Sequence, residues 1–593
     1  MKLIFTKSYE ELKEKLSAID GDWDESQTNK KVLRFNGGIM NWYESTGTIQ
    51  FQGKTENKQY LEDRVKTSLY PEEYGAEVAV EVVQEVVEEI PQSEDQEKQD
   101  ITSKYLQGNF ENSEIIIGIV SAVGTEAERV ITPLKNRLSR FGYNVEEIKL
   151  SSLLTSAPTT SEYERIKGLM NAGDELRKST NNNAILAYGS AKLIQEKRNS
   201  GIEKNAYIIN SLKHPDEVEI LRKIYGQGFY LFGIHTDKKR RLHYLTEDKN
   251  LTSIEADELT NIDEDENIKH GQRTRDTYHL SDFFINFTKN DDLVKNTIQR
   301  FLDLIFSHPY KNPTFDEFSM FMAFSSSVRS GDLSRQVGAV IAKNQQIIAT
   351  GTNECPVSGG GHYWAQTDEE SGNVTDTSDG KDYTRNEDSN KAEQNEIIQS
   401  IVSSVSKIDE TSEDCITAIQ SVLEKSRIRD LTEFGRVVHA EMEAILSCAR
   451  AGINCVGSTL YCTTFPCHNC AKHIIASGIK RVVYVEPYPK SKALEFHSDS
   501  IELRTKLDSK KESDQVIFEP FTGVGARRFL DFFSMNLGMG NKLKRKDKEG
   551  HTVSWEIGEA IPRVALLPKS YLDIETFAAE TFKKDNSKPE GLF

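Results

Sequence analysis

Apolar residues along this chain recur with two periods, and the places where the period changes mark its elements. Near the start, "SYEELKEKLSAI" has helical spacing, "KVLRFNGGIMNWYES" and "GTIQFQGK" alternate as strands do with "ESTG" as a turn, and "NKQYLEDRVKTSL" returns to helical spacing. Residues 1–75 are therefore expected to form a small α+β module. The stretch "EEYGAEVAVEVVQEVVEEIPQSEDQEKQDITS" is strongly acidic, so residues 76–112 read as a linker. From there to Pro309, "EIIIGIVSAVG" is a buried strand running into a turn, "TEAERVITPLKNRLSRFG" an amphipathic helix and "YNVEEIKLSS" a strand. "NAYIINSL" and "GFYLFGIH" are further strands separated by the helix "HPDEVEILRKIYG". Such alternation predicts a parallel sheet covered by helices over residues 113–309.

Residues 310–540 form a second α/β unit. "DEFSMFMAFSSSVR" reads as a helix and "QVGAVIAKNQQIIATGTN" as a hairpin turning at "KNQ". A polar segment, 357–433, reads as an insertion with one amphipathic helix, "EIIQSIVSSVSKI". Helix 434–452, strand "STLYCTTF", helix 467–477, strands "KRVVYVE" and "QVIFEPF" and helix "ARRFLDFFSM" follow. Residues 541–593 are a tail that begins basic.

Composition narrows the class. With 593 residues the chain is too long for one ordinary core, so three or more domains are expected. No apolar run reaches the length of a membrane-spanning helix, and the apolar stretch in "MKLIFTKSYEELKEKL" is too short for a signal peptide, so the expectation is a cytoplasmic protein with no membrane attachment. The net charge of −19, from 93 acidic and 74 basic residues, argues against a non-specific nucleic-acid coat and leaves room for local basic pockets. All seven cysteines lie in the C-terminal half, which suggests metal or packing roles before disulfides.

"HAE" with "PCHNC" downstream places His439, Glu441, Cys467 and Cys470 at the starts of two helices. One imidazole and two thiolates suit zinc, and three protein ligands with an open fourth position are the catalytic arrangement. Cysteines in the first turn of a helix face its positive end, which favours the thiolate. A metal there makes hydroxide available near neutral pH, and Glu441, two residues past the histidine, is placed to shuttle protons. A lone C-x-x-C would leave a structural zinc knuckle open. The full H-x-E…P-C-x-x-C pattern is similar to that of zinc-dependent nucleobase deaminases.

Residues 318–356 and 434–535 resemble the deoxycytidylate deaminase family through "SSSVRSGDLSRQVGAVI", "GTNECP", "HAEMEAI", "LYCTTFPCHNCAKHIIASGIKRVVYVEPY" and "FTGVGARRF". The resemblance implies a five-stranded cytidine-deaminase-like α/β/α domain. It also implies hydrolysis of a deoxycytidine nucleotide, dCTP or dCMP, to its deoxyuridine counterpart plus ammonia, with attack at C4 and Glu441 serving N3 and the leaving amine. Asn353 would contact the deoxyribose, Ser327 and Arg329 are candidates for the phosphate side, the main chain at Ala440 for the base edge, and Tyr488 for the pocket lining. Glu354 stands where the family's "GxNGxP" turn has glycine, which puts that family's triphosphate-controlled regulation in doubt. An editing enzyme acting on polynucleotides shares the zinc site and ranks lower, because the chain is acidic and the other family segments match.

The middle domain places "IIIGIVSAVGTEAERV" where a nucleotide kinase carries its phosphate loop. Glu126, Ala127 and Glu128 occupy the Gly-Lys-Ser positions, and two carboxylates would repel a triphosphate, so no efficient ATP hydrolysis is expected. Ser121, Gly124 and Thr125 are left as a candidate nucleotide or effector loop, with a scaffold domain as the alternative. "NSLKHPDEVEILRKIYGQGFYLFGI" and "DEDENIKHGQRTRDTYHLSDFFI" also resemble P-loop nucleoside and nucleotide kinases. A degenerate P-loop kinase-like domain ahead of a deoxycytidylate deaminase resembles, over 113–570, the bacterial anti-phage deoxycytidine nucleotide deaminases. That resemblance implies depletion of dCTP and dCMP, an inhibitory small RNA or protein partner, and a homo-oligomer. A housekeeping dCMP deaminase serving thymidylate synthesis, and a nucleotide- or RNA-sensing regulator with an inactive deaminase, are the other readings. Residues 1–75 resemble small N-terminal modules found on some type III ribonucleases H, with Trp42, Tyr43 and Phe51 read as core or interface residues before nucleic-acid contacts. Within the insertion, His362 and Cys415 are weighed as a second metal pair and ranked low.

Overall fold

In the computed structural model of the chain, the described residues are 3–70 and 113–566, apart from 18, 20, 28, 36, 54, 155–160, 199–203, 265–269, 288–289, 409–411, 487–490, 505–512, 539–542 and 565. The expected linker 76–112 and the end of the tail lie outside them. Two compact units are present, Met1–Ile101 and Thr102–Phe593.

The first unit is an antiparallel sheet of β1 (Leu3–Ile4), β2 (Asp22–Gln27), β3 (Lys30–Phe35), β4 (Gly38–Tyr43) and β5 (Thr48–Gly53), in the order β1-β5-β4-β3-β2. Helix α1 (Tyr9–Lys15) starts on a Ser8/Glu11 capping box, and α2 (Thr55–Leu69) packs on the sheet. Alternation puts Leu33, Met40 and Trp42 inward, where they meet Leu12, Leu61 and Val65. Trp42 is buried and its indole N–H donates to the Phe5 carbonyl at 3.0 Å, so it is a core residue.

The described part of the second unit holds two large sheets and a two-stranded hairpin. The first comprises β6 (Ile115–Ser121), β7 (Asn144–Lys149), β8 (Asn205–Asn210), β9 (Phe229–His235) and β10 (Phe283–Asn286), all parallel, in the order β10-β9-β6-β8-β7. Helices including α3 (Glu128–Arg140), α4 (Glu162–Thr180), α5 (Ile185–Lys197), α6 (Pro215–Tyr225) and α7 (Asp291–Ile305) accompany it. Every residue of β6 is buried, which explains its unbroken apolar run.

Helix α8 (Phe315–Ser327) leads into the second sheet, whose hairpin β11 (Gly338–Lys343) and β12 (Gln346–Thr352) turns on Asn344 and Gln345, both at positive φ. The insertion carries a two-residue hairpin, β13 (Gln366–Thr367) and β14 (Val374–Thr375), and two longer helices, α9 (Ser389–Val405) and α10 (Glu413–Glu424), where its sequence predicts one. After it come α11 (Ala440–Ala451), β15 (Thr459–Thr464), α12 (His468–Ala476), β16 (Arg481–Glu486), β17 (Ile501–Leu503) and β18 (Val516–Pro520). Strand order is β12-β11-β15-β16-β18-β17. The expected five-stranded sheet is thus six-stranded, because the short β17 adds in parallel to β18 at the edge.

The boundary read at 309/310 is not a break in packing. A two-residue strand, β19 (Gly523–Val524), pairs with β10 of the first sheet, and α13 (Ala526–Phe533) follows it. Ile116, Val120 and Leu231 of the first sheet share one core with Met320, Val340, Tyr461 and Val483. The tail returns as well: Arg563 donates its amide to Ile305 and its guanidinium to the Asp531 carbonyl, and the Leu566 amide reaches Ser113.

One glycine fixes where α11 lies. A Cβ at Gly351 of β12 would sit 2.0 Å from the Ala440 carbonyl oxygen and 2.6 Å from the Ala444 nitrogen, both backbone atoms. The helix therefore rests directly on the strand, which places its first turn. Gly351→Ala is expected to cost about 1–3 kcal/mol, as overpacking does, and to lower activity by shifting that turn. Chemical denaturation together with turnover would check both effects.

Candidate active site and metal centre

The starts of α11 and α12 meet, with α11 packed on β12 and β11 and against α12. His439 is the residue before α11, in extended conformation, and Cys467 is the N-cap of α12. The Cys467 sulfur accepts the backbone N–H of Cys470 at 3.4 Å, which satisfies one of the orphan donors of that helix. His439 Nδ1 lies 3.4 Å from Cys467 Sγ and 3.3 Å from Cys470 Sγ. These three donor atoms all fall within 4.8 Å of one another, and no other such group occurs among the described residues.

The three donors are coupled electrostatically. A hydrogen bond from the Cys470 thiol, then the His439 imidazole, pulls the Cys467 thiol down to about 4. The same Cys467 sulfur raises His439 to about 9, while its hydrogen bond with Cys470, and burial, push the Cys470 thiol far up. The contact between Cys467 and His439 thus favours a thiolate on the one and a protonated ring on the other. A zinc ion in their midst would take over that role for all three donors, as the chemistry of one imidazole and two sulfurs allows. Glu441 is buried in the first turn of α11, and burial raises its carboxyl.

His439, Ala440, Glu441 and Cys467 line one side of a cavity of about 230 Å³. Asn353 lines it too, with its amide engaged both ways: Oδ1 accepts the Val337 N–H at 2.7 Å and Nδ2 donates to the Arg335 carbonyl at 2.9 Å. Asn353 therefore holds the 335–337 segment, and each end of the amide keeps capacity for one more hydrogen bond.

Ser327 and Arg329 are not among the described lining residues. Ser327 is buried at the end of α8 and donates to the Phe324 carbonyl, and Arg329 stacks on Trp364 of the insertion, 3.7 Å from the ring centroid. The cation in the lining is Arg335, with Ser334 and Asp332 beside it, none of which the sequence reading singled out. Their signal was the polar "GDLSRQ" between a helix and a hairpin strand, where a loop must cross the sheet edge. Asp382, Asp388, Asn390 and Thr432 of the insertion complete the wall, so the insertion covers this site. Arg436 fastens it there through Asp382 at 2.8 Å.

Glu354, the residue at the family's glycine position, is buried, accepts the N–H groups of Gly331 and Cys355, and lies 3.5 Å from Lys381 of the insertion. The weighed second metal pair does not form. His362 sits against Glu443 at 3.4 Å, and Cys415 is exposed on α10. Tyr488 lies outside the described residues. Ser121 ends β6, Gly124 and Thr125 lie in the loop after it, and all three line a different cavity.

Residues 313–486 match the family model described as the cytidine and deoxycytidylate deaminase zinc-binding region. The deoxycytidylate deaminase of Enterobacteria phage T4 is 34% identical over 176 residues, covering 29% of this chain and 77% of that protein. The chain belongs to the deoxycytidylate deaminase family. The family's enzyme from Enterobacteria phage T2 is 32% identical over 29% of this chain and 79% of that protein. A crystal structure of dCMP deaminase from the cyanophage S-TIM5 in complex with dCMP and dUMP aligns at 21% identity over 35% of this chain and 98% of that one, with a TM-score of 0.20. The matched span of the deoxycytidylate deaminase family contains His439, Glu441, Cys467 and Cys470 together with the insertion.

Proposed function

We propose that this chain hydrolyses the 4-amino group of a deoxycytidine nucleotide, giving the deoxyuridine nucleotide and ammonia. The observation that carries the reading is the cluster of His439, Cys467 and Cys470 beside a cavity whose wall holds His439, Cys467 and Glu441. His439, Cys467 and Cys470 would hold zinc, which when bound supplies the Lewis acidity that makes hydroxide available near neutral pH. Glu441 accepts a proton from the attacking water and delivers it to N3 as the oxygen bonds to C4. It then passes the second proton to the amine, which leaves as ammonia while the C4 carbonyl forms. Burial, which raises the Glu441 carboxyl, suits a group that must both take and give a proton.

On the same reading, the main chain at Ala440 borders the base, Asn353 the sugar, and Arg335 the phosphates. Arg335→Ala is expected to raise KM for dCMP about 10-fold or more, the worth of one charge-assisted contact, with a smaller change in kcat. Steady-state kinetics on dCMP and on deoxycytidine would check it, since the nucleoside lacks the group in question.

We further read the enzyme as a regulated, homo-oligomeric cytoplasmic effector that acts on dCTP and dCMP to deplete the pool against phage, under control of a small RNA or protein partner. Support comes from the layout: an α/β domain that a metabolic dCMP deaminase does not need shares a core with the deaminase sheet. Expression of wild type against Glu441→Ala in cells tests this. Growth inhibition by the active form alone supports an effector, and equal growth with thymidylate supply restored points to housekeeping.

A further inference from the structure

A second cavity, of about 620 Å³, opens where β6, β7 and β8 end. The loop after β6, Lys149 at the end of β7 and Asn210 at the end of β8 all line it. In open parallel sheets ligands bind outside the carboxyl ends, beside the point where strand order reverses. Here the chain runs from β6 outward to β7, returns to β8, and crosses to β9 on the other side of β6. The volume is that of a small-molecule site.

One half of the lining is polar and cationic. The lysine that the loop lacks at position 127 is supplied from elsewhere: Lys213, just past β8, donates to the Ser121 carbonyl at 2.8 Å and to Asp263 at 2.6 Å. Two of its three donors are thereby used. Asp263 is fully buried and also accepts the Val123 N–H at 2.8 Å and the Thr274 hydroxyl at 3.1 Å, so its charge is spent on shaping the loop. Of the two carboxylates at this loop, Glu128 meets only Lys149 among the described residues, at 3.9 Å, whereas Glu126 is closely compensated. It is bracketed by Arg129 at 2.7 Å and Arg240 at 2.8 Å, and these hold its carboxyl below the usual range against the effect of burial. Lys149 stands at the mouth, 3.9 Å from Glu128 and 3.8 Å from Glu147, with its side chain 58% exposed. The Thr125 hydroxyl is enclosed and has no hydrogen-bond partner among the described residues. No side chain caps the first amides of α3.

The other half is apolar, built by Leu154 and by Ile166, Leu169 and Met170 of α4. A ligand that satisfies both halves carries phosphate at one end and a flat apolar group at the other. We propose that this cavity binds a nucleoside phosphate as an effector, at a site separate from the deaminase cavity. Its phosphates lie between Lys213, Lys149 and the loop at Thr125, and its base lies on α4. Ala127 and Glu128 leave the loop without the lysine and hydroxyl of a phosphoryl-transfer site, so the ligand is bound and not consumed.

The test is calorimetric titration of the full zinc-loaded chain with ATP, which the deaminase reaction does not use, and with inorganic phosphate. Lys149→Ala removes the charge at the mouth. Gly173→Phe fills the cavity from α4, where a Cβ meets only Arg177 Nη1 at 3.5 Å and Leu154 Cδ1 at 3.8 Å. The expected result is ATP binding by wild type, about 10-fold or more weaker in Lys149→Ala, and absent in a Gly173→Phe protein whose melting temperature and zinc content match wild type. Phosphate should bind more weakly than ATP. The proposal falls if wild type binds no ATP, if both variants bind it as wild type does, or if phosphate binds as tightly as ATP. Should Gly173→Phe fail to fold, Lys149→Ala alone decides.

Discussion

Glu441→Gln lowers kcat for deoxycytidine nucleotides by about 10²–10⁴-fold, the worth of a positioned general acid–base, while zinc content stays at the wild-type value. Glutamine keeps the shape of the side chain but neither accepts the water proton nor returns it to N3 and the amine. Because burial already disfavours the charged carboxylate, the substitution removes a group that is costly to ionise, and the melting temperature is expected to hold or rise. That combination separates a catalytic role from a structural one. A structural glutamate would lose stability along with rate. Turnover, metal analysis and calorimetry on one preparation read all three quantities.

Cys470→Ser removes a fully buried sulfur from the three-donor cluster, and its expected effect is loss of both zinc and activity. A metal that binds only the folded chain stabilises it by about 4 kcal/mol at a thousandfold excess over its dissociation constant, so the variant should also melt lower than the zinc-loaded parent. Added chelator should lower the wild-type melting temperature and leave that of the variant unmoved. Cys448→Ser is the control. Cys448 is equally buried in the same apolar cluster, on α11, but stands outside the donor group. Its loss should cost a small packing term and keep the zinc.

The cluster of His439, Cys467 and Cys470 was legible in the sequence because its parts are local. His439 and Cys467 sit at the beginnings of helices whose apolar spacing announces them, and Cys470 follows one turn later. The cation in the cavity wall was not. Arg329 belongs to a motif-like run after α8, yet its guanidinium is drawn to Trp364, a residue of the insertion that no local pattern connects to it. Arg335 reaches the cavity on a segment shaped by Asn353, through bonds that span a hairpin. Likewise the insertion walls the site through Arg436 and Asp382, 54 residues apart in sequence. The alternation of apolar runs gave the parallel strands of residues 113–309 and the hairpin and following strands of the second α/β region. It could not show that they share one core, because Ile116, Val120 and Leu231 meet Met320, Val340, Tyr461 and Val483 across long stretches of chain, nor could it show the two-residue β19, too short for any periodicity to register. Glu126 teaches the same lesson in electrostatics. Its sequence position suggests repulsion, and Arg240, 114 residues away, cancels it.

The most direct test of the central claim is to incubate purified protein containing equimolar zinc with dCMP and with dCTP and to measure deoxyuridine nucleotide and ammonia together. The account predicts equal amounts of the two products from at least one of these nucleotides, and none from Glu441→Gln carrying the same zinc. Wild-type protein that holds its zinc and forms neither product from either nucleotide would contradict it.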